Sequence, residues 1–197
     1  MFFSRRCGCA AFAPLFRTQV QKRKEYPEAN EYYDEVKDGL EQALGTKIAA
    51  AHPMFGRALS DQAASFYAQG QIDKALVGFA AALESYKTAI AHGAQGVSED
   101  DRERNTIRRI HAERANTQYN LATVLMSRLT ESGSKDEALV SQIGGLFTEL
   151  VELYSDSDLD PRLKQIAAAA KDAKSHLEAN ICDATDATTD ADAPPGV

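Results

Sequence analysis

From residue 33 to residue 181 the apolar side chains return every three or four positions, and the runs are cut at short intervals by glycine, proline or a capping residue. That spacing fits one face of a helix and no strand, because a strand alternates with a period of two. A first stripe runs from Tyr33 through Val36, Leu40, Leu44 and Ile48 to Ala51, and is interrupted at His52-Pro53. A second runs from Phe55 to Tyr67 and stops at Gly70; a third runs from Ile72 through Phe79 and Tyr86 to Ile90 and closes at His92-Gly93. His92 there favours the negative end of the helix dipole. Ser98-Glu-Asp-Asp101 has the form of a capping box, ahead of a long helix from Ile107 to Leu129 that ends at Gly133. Ser134-Lys-Asp-Glu137 repeats the form ahead of Leu139 to Tyr154, and Asp160-Pro161 places a cap and a first-turn proline before Leu163 to Ile181.

Helices joined by such short connections pack as antiparallel neighbours, since a short loop leaves the next helix nowhere else to go. The expected fold is therefore all-α, about six to seven antiparallel helices and no sheet. With 197 residues, 44% of them hydrophobic, the chain can bury one core without staples. Its three cysteines cannot make a disulfide framework, and Cys7 and Cys9 lie in a segment expected to be removed, leaving Cys182 and pointing to a reducing or redox-indifferent compartment.

The net charge of −7 is unevenly spread. Residues 1–24 carry Arg5, Arg6, Arg17, Lys22, Arg23 and Lys24 with no acid, while the remainder holds 16 basic against 29 acidic residues. A basic, amphipathic, acid-free start with Phe2, Phe3, Phe12, Leu15 and Phe16 is what mitochondrial import across an inside-negative potential favours. The uncharged run 7–16 also has the length of a secretory core, and a retained segment would act as an amphipathic anchor. The expected organisation is a targeting segment or anchor at 1–26, a helical domain at 27–182, and a disordered acidic tail at 183–197.

Within the body, Ala63, Phe66, Gly70, Ala75, Phe79, Ala82 and Leu83 resemble the tetratricopeptide pattern, in which small residues let paired helices approach and aromatics fill the gap. A second, degenerate copy follows from Tyr119 to Leu125 and on through Gly133 and Ala138, and residues 161–181 supply the first helix of a third. Lys87 stands where the family's proline would fall. An ordinary six-helix bundle with one repeat-like hairpin is the other reading. The resemblance implies a right-handed helical array with a partner-binding surface. The short FF-S-RR start, Ala-rich acidic helical body and length near 200 are together similar to the trypanosomatid mitochondrial MIX family. That resemblance implies import, inner-membrane attachment and association with cytochrome c oxidase.

Motifs for chemistry are missing from the sequence. There is no phosphate-binding glycine loop, dinucleotide fingerprint or nucleophile elbow; Gly144-Gly145 falls inside a helical stripe, where it would permit close helix contact or a kink. His52, His92, His111 and His176 lie far apart, with no helical partner at ligand spacing, so no metal site and no cofactor are expected. Adjacent carboxylates at 99–101 and 149–152 fall on polar faces or caps. Arg102, Arg104, Arg108, Arg109 and Arg114 form the densest basic patch, interleaved with acids at ion-pair spacing. Either the patch neutralises itself, or Arg102, Arg108, Arg109 and Arg114 grip an acidic partner segment by bidentate contacts, with Asn120 where tetratricopeptide proteins often carry a peptide-clamping asparagine, a residue also common there for structural reasons alone. The functional expectation is a non-enzymatic interaction scaffold or accessory and assembly factor on the matrix side or inner membrane of mitochondria. Its partners would be proteins such as respiratory-complex subunits, or a second copy of the chain. The alternative is an organellar RNA-associated helical repeat, since helical hairpins can read RNA, but the acidic body opposes it and no nucleic-acid partner is expected.

Overall fold

The computed structural model of the chain describes residues 30–31, 33–39, 51–93, 101–132, 136–158 and 160–189. Among these residues there are six helical segments and no strand. They are α1 (30, 31 and 33–39), α2 (Ala51–Ala68), α3 (Ile72–Gly93), α4 (Asp101–Ser132), α5 (Glu137–Tyr154) and α6 (Pro161–Thr189). The fold is all-α.

The turn between α2 and α3 shows how the sequence punctuates the chain. Gly70 has φ +73°, a conformation that costs a side-chain-bearing residue but not glycine. Around it the Gly70 N–H donates to the Tyr67 carbonyl and the Gln71 N–H to the Phe66 carbonyl, the paired bonds of a Schellman ending. The chain reverses within three residues, so α2 and α3 lie against each other along their length. Small residues set their separation: a Cβ on Gly78 would meet the Ala63 Cβ at 2.9 Å, and one on Gly56 would meet the Tyr86 ring at 3.1 Å.

Each helix from α2 onward packs on the next, and α4 also touches α2 and α6, whereas α3 and α5 make no contact among the described residues. This places α2, α4 and α6 side by side with α3 and α5 behind them. Between the two layers lies a continuous core that includes Phe79, Val124, Phe147, Leu150, Tyr154 and Leu163, nearly all drawn from the sequence stripes. A smaller cluster of Leu59, Ala82, Tyr86, Ala89 and Ile110 closes its amino-terminal end. Buried Tyr33, together with the Gln62 Nε2 bond to Asp34 Oδ1 at 2.7 Å, packs α1 on α2. On α6, at the far end, Lys164, Gln165, Lys171, Asp172 and Ser175 face solvent, a polar outer surface suited to ending a helical stack.

Several boundaries differ from the sequence expectation. His52-Pro53 lies inside the first turn of α2, where proline's missing N–H removes no helical bond. The cap of α5 is Asp136 rather than Ser134: its carboxylate accepts the Leu139 N–H at 3.0 Å, and Glu137 is the first helical residue. Asp160 caps α6 as expected, accepting the Arg162 N–H at 2.8 Å. Gly144 and Gly145 border open space, so they mark no close helix contact. Finally, α6 continues to Thr189, past the expected tail boundary at 183, because the alanines of DATDATT sustain a helix already nucleated upstream. The targeting segment at 1–26, the Ser98 cap and residues 190–197 lie outside the described residues.

Candidate partner-binding face on the central helix

The 32 residues of α4 divide by direction. One side is bonded to α2, through Ser60 Oγ and Thr117 Oγ1 at 3.0 Å and through Tyr67 Oη and Ser127 Oγ at 2.9 Å. Another side is bonded to α5. Arg114, only 12% exposed, makes a salt bridge to Glu149. Gln118 Nε2 donates to Glu149 Oε2 at 2.9 Å and to the Leu146 carbonyl at 3.0 Å, and His111 Nδ1 lies 3.2 Å from the Tyr154 hydroxyl. His111, Arg114 and Gln118 thus fill one strip at helical spacing.

Burial dominates the electrostatics of this strip. It lowers the pKa of His111, an effect the Arg114 guanidinium reinforces, and it raises that of the Tyr154 phenol. Both groups are therefore held neutral, and the charge in the interface is the Arg114–Glu149 pair. Toward α2, burial likewise raises the Tyr86 phenol, with Glu113 and Asp61 adding to the effect.

In line with Ser127, on the side of α4 nearest α2 and turned away from α5, runs a stripe of Arg109, Glu113, Asn116, Asn120 and Thr123, spaced four, three, four and three residues apart. Arg109 and Asn116 are exposed, and Asn120 is half-buried. Arg109, Asn116 and Asn120 make no side-chain bond to any described residue. Of the residues expected to grip a partner, Arg109 and Asn120 therefore share one face. Arg108 is exposed but points about 100° around the helix. Arg114 is turned inward and occupied by Glu149, and the side chain of Arg102 is outside what the structure describes. The expected pairing of the arginines with acids on their own helix is not formed by Arg108 or Arg109 with a described carboxylate. Instead, Arg114 pairs across helices.

Sequence reasoning missed the His111–Tyr154 and Gln118–Glu149 contacts, whose partners lie on separate helices. It also missed the stacking of His52 on His92, with ring centroids 5.8 Å apart and planes at 20°. Among the described residues no three potential metal-ligating side chains come together, and no helix is long and apolar enough to cross a membrane. Comparisons of the chain with protein-family models, with curated proteins and with solved structures found no match.

Proposed function

We propose that the chain is a non-enzymatic interaction scaffold, an accessory or assembly factor that holds another protein on the exposed stripe of α4. The observation that carries this reading is the division of α4: its side toward α5 is filled by His111, Arg114 and Gln118, while Arg109, Asn116 and Asn120 on the side turned away from α5 keep their donors unspent among the described residues. A cation at one end of the stripe and two amides beyond Glu113 suit an extended segment with a carboxylate at one end, which takes Arg109 while the segment's backbone takes the asparagines. Helices that meet their neighbours and their next-but-one partners on one side only are also the pattern of a tetratricopeptide-like array, and this supports that finer description of the fold.

The site of action we propose is the mitochondrion, on the matrix side or at the inner membrane, with a respiratory-complex subunit such as one of cytochrome c oxidase as partner. The basic, acid-free start of the sequence supports import. Affinity purification of the carboxy-terminally tagged chain from mild-detergent mitochondrial extract tests the reading. Stoichiometric recovery of respiratory-chain components, lost in the Arg109→Glu variant, is the expected result. Recovery of the bare protein, or of RNA with ribosomal proteins, overturns it.

A further inference from the structure

His52 lies in the first turn of α2 and His92 in the last turn of α3, so the hairpin that reverses at Gly70 brings both imidazoles to its open end. The placement is fixed from the backbone: the Ser85 hydroxyl of α3 donates to the His52 carbonyl at 2.9 Å. The Nδ1 of His52 is buried without a partner among the described residues, while His92, stacked on it, is exposed. We propose that this pair is a two-nitrogen site for a borderline divalent transition metal, Cu2+ in preference to Zn2+ or Ni2+, joining the start of α2 to the end of α3.

With metal–nitrogen bonds of about 2.0–2.1 Å, two imidazoles on one ion have centroids roughly 5–6.5 Å apart. The observed 5.8 Å lies within that range. The rings are now stacked, so binding requires them to rotate about Cβ–Cγ until one nitrogen of each faces a common point; no backbone movement is needed to set their separation. Two neutral nitrogens with solvent in the remaining positions follow the usual affinity order, in which Cu2+ exceeds both Ni2+ and Zn2+. The ion would close the hairpin at the end opposite its turn, so its binding also stabilises the folded chain.

The test uses the full chain with its cysteines alkylated, titrated separately with Cu2+, Zn2+ and Ni2+, and followed by thermal unfolding and by the nitrogen hyperfine pattern of bound Cu2+. Expected are a rise in Tm that is largest with Cu2+, and a spectrum of two imidazole nitrogens. His52→Asn and His92→Asn should each weaken Cu2+ binding by on the order of tenfold or more, with no change in His176→Asn, whose exposed imidazole is on α6. Undiminished binding in both first variants, loss of binding in His176→Asn, a one-nitrogen spectrum of the unaltered chain, or no saturable binding overturns the proposal. The spectrum of the unaltered chain decides the matter even where a variant folds poorly.

Discussion

Replacing glycine by alanine at two helix-interior positions should move stability in opposite directions. In either helix the substitution recovers about 1 kcal/mol of backbone entropy that glycine loses on folding. At Gly145, on the open side of α5, an added Cβ meets nothing within 4 Å, so that gain should appear undiminished. At Gly78 the same Cβ falls 2.9 Å from the Ala63 Cβ and 3.4 Å from its Cα, and Ala63 has no flexible end to yield. Relief requires α2 and α3 to part, an overpacking strain of about 1–3 kcal/mol in a well-packed interface. Because the propensity gain is common to both variants, their difference isolates the clash: Gly145→Ala should exceed Gly78→Ala by about 1–3 kcal/mol. For a chain of this size that is roughly 3–10 °C in Tm, readable by circular dichroism during thermal unfolding and by urea midpoints. Gly78→Ala as stable as Gly145→Ala would refute the close approach of α2 and α3 on which the hairpin is built.

Other consequences follow from the α4–α5 interface. Glu149→Ala leaves Arg114 without its carboxylate and Gln118 with only the Leu146 carbonyl, and should cost about 1–3 kcal/mol in urea unfolding. Lys87→Ala, which breaks the exposed pair with Glu84, should change stability by no more than about 0.5 kcal/mol. The folded-state pKa of His111 is below its ordinary 6.5, so just below that pH the unfolded chain binds a proton that the folded chain refuses. Its stabilising contribution is thus complete above pH 6.5 and is lost as the pH falls toward the lowered folded value. Stability should decline through that window, the decline should be shallower in His111→Gln, and an NMR titration placing His111 at or above 6.5 would contradict the burial argument.

The helices were legible because their signals are local. Apolar recurrence and punctuation need only neighbours in sequence, and they located Gly70, Asp160 and most of the core, including Phe79, Phe147 and Leu150. Local signals failed where two solutions lay within a turn of each other. Ser134 and Asp136 both suit a cap, and only the chain path selects Asp136. Gly144-Gly145 has the same composition whether it faces a helix or solvent, and it faces open space. The site was less legible, because its character depends on pairs distant in sequence. Arg114 looked equivalent to Arg109 until Glu149 on α5 claimed it, and nothing near His52 in the sequence announces His92. Helical spacing alone, applied outward from Arg109, does give Glu113, Asn116 and Asn120; what it lacks is knowledge that this face is left uncovered.

The central claim is that the uncovered stripe of α4 holds a protein partner. A photo-crosslinking amino acid placed at Asn116, with the same group at exposed Gln142 on α5 as control, tests it in intact mitochondria from cells expressing the full chain. The account predicts a discrete adduct at position 116 to a respiratory-complex subunit, weakened by Arg109→Glu, and none at 142. No adduct at 116, or adducts of equal yield at both positions, would contradict it.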